Sequence, residues 1–383
     1  MAKKTTRSEE YTDKHPALFL AFELGVSEWK LGFSTGLGQK ARRRSVPARN
    51  LVRLQTEIAG AKKRFGLPGT ARVLSCYEAG RDGFWLHRYL SQAGIGNLVV
   101  DSSSIEVNRR ARRAKSDRLD VQKLLTMLIR YHFGEHKVWS VVHVPSPEEE
   151  DRRQLHRELR TLKKEKTRTT NRIKGLLASQ GIRLESPMDL SDRGLDAIRL
   201  WDGSPLPVSL KSRLQREGEH VLFLKREILA LEAERRQQLR QSREADVAKV
   251  RQLTLLRGIG PGSAWVFVRE FFGWRKFHNR RELASLAGLV PTPYQSGAMR
   301  REQGISKAGN RHVRGMAIEL AWSWIFHQPE SRLTRWYMER FANAGTRARK
   351  VGIVAVARRL LIDLWRFLEW GVIPEGAELK ATG

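Results

Sequence analysis

Residues 17–46 read ALFLAFELGVSEWKLGFSTGLGQKARRRSV, and this stretch decides the fold of the first third of the chain. The apolar run at 17–22 predicts a buried strand. Two further strand patterns, at 29–34 and 41–46, follow it with glycine-rich turns between them, as in antiparallel neighbours. The stretch therefore predicts a three-stranded meander.

Strand and helix patterns alternate after the meander. The predicted elements are a helix at 48–65, a strand at 72–77, a helix at 82–93, a strand at 97–100 and a helix at 116–130. The resulting order, βββαβαβα, indicates a mixed α/β sheet.

The chain of 383 residues is strongly basic, with 71 Lys and Arg against 41 Asp and Glu and a formal charge of +30. An excess of this size, spread along the chain, predicts a polyanionic partner: DNA, RNA or both. The sequence has no apolar stretch of about 18 residues, so we expect no membrane-spanning helix. Residues 1–15 lack the apolar core of a secretion signal. With Cys76 as the single cysteine, a disulfide framework and a cysteine zinc site are both excluded, which indicates a reduced, cytoplasmic protein.

The length of the chain predicts two or three domains. Composition places a polar tail at 1–16, a mixed α/β domain at 17–147, a charged helical spacer at 148–250 and a C-terminal, mainly helical domain at 251–383.

Four carboxylates fall at the ends of the predicted elements of the α/β domain. Glu23 closes the first strand and Glu78 closes the fourth. Asp117 and Asp120 share one face at the start of a helix, for which Ser116 is a candidate N-cap. Such a group would repel itself without a divalent cation, and its hard oxygen ligands suit Mg²⁺, which assists reactions at phosphorus. Each acid also has an ordinary interpretation, as a charge at a strand end or at a helix start.

A dense run of cations precedes Asp117, and we expect it to contact phosphate backbones rather than only solvent. The residues are Arg109, Arg110, Arg112, Arg113 and Lys115. Cys76 lies in a predicted buried strand, where a packed small side chain is expected instead of a nucleophile.

Two apolar seams run through the charged segment 148–250. The first spans 155–176 in a heptad-like alternation, and the second spans 221–231 and ends near Ser242. A narrow apolar stripe must be covered by something. The pattern fits an antiparallel helical hairpin within the chain and equally half of an intermolecular coiled coil.

Residues 291–314 read PTPYQSGAMRREQGISKAGNRHVR. Dense proline and glycine predict a loop around Ser296, whose hydroxyl among cations suits attack on a phosphodiester. Tyr294 is the rival nucleophile, and a basic turn that only grips nucleic acid is the plainer interpretation. A helix starting near Val313 would offer free amides to a phosphate. The candidate nucleic-acid contacts are Arg300, Arg301, Lys307, Asn310, Arg311 and Arg314.

Residues 253–262 read LTLLRGIGPG and lead into a helix that contains Trp265. A Gly-Ile-Gly turn between two helices resembles a helix-hairpin-helix motif, which holds a DNA phosphate without reading sequence. Buried helices are predicted at 313–327 and 347–370. Their tryptophans are expected in the core instead of on a base-stacking surface: Trp322, Trp324, Trp336 and Trp365.

Several of these motifs together resemble the transposases of Piv/MooV-type bacterial insertion sequences. The motifs are GIGP at 258–261, AGLVP at 287–291, SG at 296–297 and GISKAGNRHVR at 304–314, and the resemblance extends from about residue 19 to residue 370. It implies a RuvC-like (RNase H-like) N-terminal domain, a coiled-coil spacer, and a helical transposase domain. Glu78, Asp117 and Asp120 match the family's metal-binding acids, and Ser296 matches its nucleophile. Glu23 stands where the family usually has aspartate, which puts the metal geometry in doubt more than metal binding.

The resemblance also implies a mechanism and partners. The Mg²⁺-binding acids of one subunit act with the serine of another in a homodimer or homotetramer at the nucleoid. Ser296 forms a covalent link to a DNA phosphate, and donor and target DNA strands are exchanged and resealed. A bridge RNA encoded by the element guides the reaction by pairing with both DNAs, which is an implication of the family alone.

Two other functions remain open from the residues. One is a RuvC-like, structure-selective, metal-dependent nuclease in which water attacks the phosphate and Ser296 has no chemical role. The other is a scaffold that binds nucleic acid without catalysis. Ser296→Ala distinguishes the recombinase from the nuclease, and Asn at positions 117 and 120 distinguishes both enzymes from the scaffold.

Overall fold

The computed structural model describes residues 16–80, 82–105, 117–183, 194–296 and 299–380. The chain divides into two compact units, Met1–Pro145 and Ser146–Gly383. The second unit contains both the helical spacer and the C-terminal domain of the sequence interpretation, so the boundary expected near residue 250 stays a prediction.

The first unit is a mixed sheet with helices on both faces. Its elements are β1 (Leu18–Leu24), β2 (Glu28–Ser34), β3 (Arg42–Pro47), α1 (Leu51–Arg64), β4 (Val73–Glu78), α2 (Trp85–Gln92), β5 (Gly96–Val100) and α3 (Asp117–His132). The strand order is β3-β2-β1-β4-β5, with β1, β2 and β3 antiparallel and with β4 and β5 parallel to β1. The predicted mixed α/β class and meander are confirmed.

The central strand β1 is apolar throughout because each of its faces meets a different core. Leu20 and Phe22 pack with residues of α1 and α2, whereas Phe19 and Ala21 pack with α3. A strand buried on both faces has no polar alternation, and therefore its sequence is a continuous apolar run. Close packing extends to β2, where a Cβ at Gly32 would lie 2.5 Å from Cγ1 of Val121.

The second unit begins with three helices, α4 (Pro147–Asp151), α5 (Gln154–Ala178) and α6 (Val208–Gln241). α5 and α6 form an antiparallel hairpin within the chain. Ion pairs join Lys163 to Glu232 at 2.6 Å and Arg172 to Glu217 at 2.7 Å, so rising numbers on one helix meet falling numbers on the other. Ile173 buries its side chain in the seam between them. The hairpin interpretation of this segment is therefore confirmed.

The rest of the second unit is a helical core that carries a two-stranded sheet. Its elements are α7 (Ala245–Thr254), α8 (Pro261–Phe267) with a π-helical turn at Val268–Phe272, α9 (Arg280–Leu286), β6 (Pro291–Ser296), β7 (Met299–Ile305), α10 (Arg311–His327), α11 (Arg332–Phe341) and α12 (Thr346–Trp370). Trp324 and Trp365 are buried in this core, as predicted. Trp322 is 50% exposed, so the prediction of a core position is wrong for it. It lies on the outer side of α10.

Within the described part of the chain, no helix has the length and apolar character needed to span a membrane.

Candidate functional site

Glu23 and Glu78 lie beside each other at one edge of the first unit's sheet. The parallel register of β1 and β4 sets Phe22 opposite Tyr77, so Glu23 and Glu78 are the next pair along the two strands. Neighbouring strands lie about 4.8 Å apart. Side chains alternate between faces, so both carboxylates point to the face where Ala21 packs with α3. The sheet therefore brings together two acids that are 55 positions apart in sequence.

The start of α3 is directed towards the same edge. Near its C-terminal end, the His132 ring lies 5.3 Å from the ring of Phe19, close to the beginning of β1. Near its start, Val121 packs against Gly32, which is paired with Ala21 further along β1. The N-terminus of α3, with Asp117 and Asp120, therefore extends towards the carboxyl end of β1.

The described side chains do not by themselves form a group that could hold a metal ion, so the Mg²⁺ site stays a prediction. Among them, no three acids, histidines or cysteines meet closely enough to hold an ion. The side chain of Asp117 is outside the described residues, whereas those of Glu23, Glu78 and Asp120 are half-buried. Asp101 follows β5, whose last residue pairs with Glu78, and adds an acid to this edge that our sequence analysis missed. An acid directly after a strand was the available signal.

Ser296 ends a β-strand, so the prediction of an irregular loop for this segment is wrong. β6 and β7 form an antiparallel hairpin in which Ser296 pairs with Met299, and a bulge lies between Pro291 and Pro293. Proline has no N–H to donate to a β-ladder, so the irregular pairing at the bulge is what allows Pro291 and Pro293 to lie in this strand. Ser296 is thus at the closed end of the hairpin, next to residues 297–298, which the structure does not describe.

The hairpin base is held by close contact between two backbone segments. A Cβ at Gly288 would lie 1.9 Å from the carbonyl oxygen of Ala308, and one at Gly309 would lie 2.1 Å from that of Leu286. Both glycines have positive φ, +69° and +89°. The N–H of Asn310 donates to the Leu286 carbonyl at 2.8 Å. Glycine is therefore required at both positions to join the AGLVP and GISKAGN motifs.

Asn310 caps α10 and is engaged within the protein. Its Oδ1 accepts hydrogen bonds from the backbone N–H groups of His312 at 2.9 Å and Val313 at 3.2 Å. The prediction that free amides at this helix start would hold a phosphate is wrong for these two amides. Lys307 and Arg311 are exposed on either side of the cap, whereas Arg314 donates to the carbonyl oxygens of Ala287 and Ala308, each at 3.4 Å.

Glu270 is a buried acid that our sequence analysis missed. It lies in the π-helical turn with a fully buried side chain, where it accepts hydrogen bonds from Arg157 at 2.7 and 2.9 Å and from Asn310 at 3.1 Å. His156 Nε2 lies 2.8 Å from it. Burial alone would raise the pKa of Glu270, but hydrogen bonds from His156 and Arg157 outweigh it and hold the pKa well below its usual range. The pattern that could have identified it is an acid inside the largely apolar run WVFVREFFGW at 265–274, which indicates a buried carboxylate.

A second polar contact joins α5 to the start of α10. The guanidinium of Arg160 lies 2.8 Å from Nδ1 of His312. Burial lowers the pKa of His312, and an arginine donor requires an unprotonated ring nitrogen as its acceptor. The two contacts together fix the capped end of α10 against the first turns of α5.

The Gly-Ile-Gly turn lies between α7 and α8, as the helix-hairpin-helix interpretation requires of its flanks. Part of its backbone is bonded within the unit, because the N–H of Ile259 donates to the Leu256 carbonyl at 3.1 Å and the Gly258 carbonyl accepts from the Ser323 hydroxyl at 3.0 Å. A Cβ at Gly258 would lie 2.9 Å from His327, so the turn packs tightly on α10. Phosphate binding by this turn stays a prediction.

Other predicted contacts fall outside what the structure describes. This applies to the cation run Arg109, Arg110, Arg112, Arg113 and Lys115, and to the side chains of Tyr294, Ser296, Arg300 and Arg301. Cys76 is fully buried, and burial raises the pKa of its thiol far above the usual range, with the charge of Glu78 adding to the effect. A thiol in this state is a packing residue, not a nucleophile.

Comparison with known proteins assigns the second unit's motifs to one family. The family described as "Transposase IS116/IS110/IS902 family" matches residues 250–335, which include the turn, the hairpin and the capped helix. The y4rJ protein of Sinorhizobium fredii, whose name assigns it to the transposases, is 41% identical over 377 residues, or 95% of each chain. The transposase for insertion sequence element IS1328 of Yersinia enterocolitica is 26% identical over 261 residues, covering 66% of this chain and 71% of its own.

The motif match and the near full-length similarity therefore agree, and the chain belongs to the IS116/IS110/IS902 family of transposases, which cut and join DNA.

Proposed function

We propose that this transposase breaks and rejoins DNA strands with Ser296 as the nucleophile and with Mg²⁺ held by Glu23, Glu78, Asp117 and Asp120. The observation that carries the proposal is the register of β1 and β4, which sets two acids side by side where α3 begins. The strand order β3-β2-β1-β4-β5 supports the RuvC-like interpretation of the first unit. Transposition requires DNA strands to be both cut and rejoined, and the proposed chemistry accounts for both steps.

The donor set fits Mg²⁺ in its chemistry. All four side chains are carboxylates, which are the hard oxygen ligands that this ion takes. Glutamate at position 23 has one more methylene than aspartate and still ligates through the same group. When bound, Mg²⁺ stabilises the negative charge that develops on phosphate and leaving oxygens. Asp101, at the same sheet edge, is a further candidate ligand.

The chemistry assigned to Ser296 is a reversible transesterification. Its Oγ forms a bond to phosphorus while the bond from phosphorus to one sugar oxygen breaks. The serine loses its proton, and the leaving sugar oxygen gains one. The reverse reaction, with a hydroxyl of the exchanged strand, restores the serine and seals the DNA. The exposed cations Lys307 and Arg311 follow the hairpin and provide positive charge for the phosphate.

The hairpin suits this role because its closed end carries the hydroxyl and its base is fixed. The contacts of Gly288 and Gly309 tie the base to α9 and α10 through backbone atoms. A residue on a strand end is held in a narrower range of positions than one in an open loop, which favours attack in a defined direction.

The experiment that tests the proposal is trapping of a covalent protein–DNA adduct. The full chain is incubated with DNA carrying the element's ends, and adducts that survive denaturant are resolved by electrophoresis. We expect Ser296→Ala to abolish the adduct and cleavage. Tyr294→Phe removes the neighbouring hydroxyl and serves as the matched control, which should retain the adduct. Full cleavage by Ser296→Ala would establish the alternative, a nuclease in which water attacks.

We further propose that an RNA encoded by the element guides the reaction and that the protein acts as a homodimer or homotetramer on donor and target DNA. The charge of +30 supports binding to more than one polyanion. Sequencing of RNA that co-purifies with the protein tests the guide. Segments complementary to the element's end and to its insertion site are expected, and faithful recombination by RNA-free protein would refute guidance.

A further inference from the structure

A cavity of about 500 Å³ lies in the second unit among α11, α12 and the segment that follows α12. We call it the arginine cavity, because Arg280, Arg332, Arg359 and Arg366 line it. Two carboxylates, Asp363 and Glu375, also line it, so its wall has an excess of two positive charges. None of these residues belongs to the site described above.

Most of the arginines in the cavity lack a carboxylate partner. Arg332 is paired with Glu375 at 2.9 Å. Among the described residues, no carboxylate lies within 4.0 Å of the guanidinium of Arg359 or Arg366, although Asp363 is on the same helix. Burial and the like charges of Arg358, Arg340 and Arg332 lower the pKa of Arg359, and the opposite charge of Asp363 offsets this only in part. A concave wall with an excess of positive charge attracts an anion.

Trp336 fixes one of these arginines in a defined orientation. The guanidinium carbon of Arg359 lies 3.9 Å from the centre of the Trp336 ring, and that of Arg340 lies 5.4 Å from it. The Phe341 ring packs edge-on against Trp336 with centres 5.6 Å apart. A guanidinium stacked on an aromatic face keeps its N–H donors at its edge, where they match the oxygens of a phosphate.

The rim of the cavity is apolar on one side. Val372 and Ile373 line it and are 54% and 45% exposed. Apolar side chains beside a phosphate site suit a sugar without a 2′-hydroxyl, which is the group that distinguishes RNA from DNA. The combination of a stacked arginine, an excess of positive charge and an apolar rim favours a deoxyribose-phosphate backbone over a free anion.

We propose that the arginine cavity binds backbone phosphate of DNA, as an anchoring site separate from the Ser296 hairpin. Arg359 and Arg366 contact the phosphate, and Trp336 is a positioning residue that holds Arg359. The site rests on the proposed function only in that DNA is the substrate. It adds affinity that is independent of sequence, because phosphate contacts position a protein and base contacts specify it.

The test is DNA affinity of the full chain over a series of salt concentrations. Fluorescence anisotropy with a short random-sequence duplex, in buffer containing EDTA, compares Arg359→Gln/Arg366→Gln with Arg335→Gln/Arg349→Gln. Each double variant loses two positive charges: Arg359 and Arg366 both lie on α12, whereas Arg335 lies on α11 and Arg349 on α12, and neither of the control residues lines the cavity. Thermal unfolding of each variant verifies that the fold is retained.

We expect the cavity variant to bind at least about tenfold more weakly, with a salt slope lower by about 0.9, because the two arginines neutralise one phosphate and each neutralised phosphate contributes about 0.9. The control should change affinity by no more than about twofold. Trp336→Leu keeps the charge and should weaken binding by about threefold without changing the slope, as loss of an exposed cation–π contact predicts. A cavity variant that behaves like the control overturns the proposal.

A parallel titration with single-stranded RNA distinguishes the two sources of phosphodiester. Weaker binding of duplex DNA by the cavity variant supports the proposal, whereas a loss confined to RNA overturns the assignment of the ligand. The adduct assay with Ser296→Ala is independent of this result. Failure of the serine mechanism therefore leaves the cavity in place, and failure of the cavity leaves the serine mechanism in place.

Discussion

Replacement of Glu270 by glutamine is the sharpest test of how the second unit is held together. The fully buried carboxylate receives two hydrogen bonds from Arg157 and one from Asn310, and it contacts His156. Breaking a buried ion pair costs about 3–5 kcal/mol. Arg157 is 40% exposed and can recover water, and glutamine keeps one acceptor oxygen, so we expect a loss of about 2–3 kcal/mol of unfolding free energy.

The assay is urea-induced unfolding of the full chain, followed by tryptophan fluorescence. Glu369→Gln is the matched control, since it makes the same chemical change at a carboxylate that is 43% exposed and pairs with Lys249 at 3.2 Å. Exposed pairs contribute less than about 1 kcal/mol. Equal destabilisation by the two variants would refute the conclusion that the buried contacts of Glu270 stabilise the second unit more than an exposed ion pair does.

The pH dependence of the same pair provides a second measurement. The pKa of Glu270 is lowered in the folded protein, so its contribution to stability is fully present above the ordinary carboxyl pKa of 4.5 and is lost as pH falls through the folded value. The difference in unfolding free energy between wild type and Glu270→Gln should therefore be constant near neutrality and shrink in acid. A difference that grows on acidification would contradict the assigned direction.

Three further outcomes are expected. Gly309→Ala should destabilise the protein by several kcal/mol in thermal unfolding, because the new Cβ would collide with the Leu286 carbonyl. This exceeds the roughly 1–2 kcal/mol that a left-handed backbone conformation alone costs an alanine. Gly203→Ala is the control that measures this backbone cost alone, since Gly203 has a φ of +82° and open space around it. Asp117→Asn combined with Asp120→Asn should abolish Mg²⁺-dependent strand cleavage while leaving DNA affinity within about twofold, and retained cleavage would remove these acids from the site. Cys76 should resist alkylation by iodoacetamide in the native state and react fully in denaturant, as mass spectrometry can measure, since burial raises its pKa.

The sheet of the first unit was predictable because its strands are buried and its turns are rich in glycine. All five strands lie within two residues of their predicted bounds. Placement of Glu23 beside Glu78 followed from strand order, since parallel strands present their carboxyl ends at one edge. Asp101 was not predicted because it lies just after β5, outside the apolar run by which the strand is recognised. An acid directly after a strand is the local pattern that would have identified it.

The second unit was less predictable because its decisive contacts are long-range. The hairpin β6–β7 was not predicted because Pro291 and Pro293 indicate a break in regular structure. A bulge between them allows the two strands to pair in spite of these prolines. Glu270 depends on His156 and Arg157, more than a hundred positions away, and no periodicity connects them. The need for glycine at 309 arises from a carbonyl of α9, which only the fold brings into contact.

The position of the Glu270 contacts along α5 has a mechanical consequence. His156, Arg157 and Arg160 all lie in the first two turns of a helix of 25 residues, so about 18 residues, or about 27 Å, extend beyond the anchored end. The contacts of α5 with the cap of α10 therefore come from its first two turns, and the rest of the α5–α6 hairpin extends beyond them. We expect a strand or a second subunit bound at the far tip to act on the cap of α10 through the contacts of His156, Arg157 and Arg160.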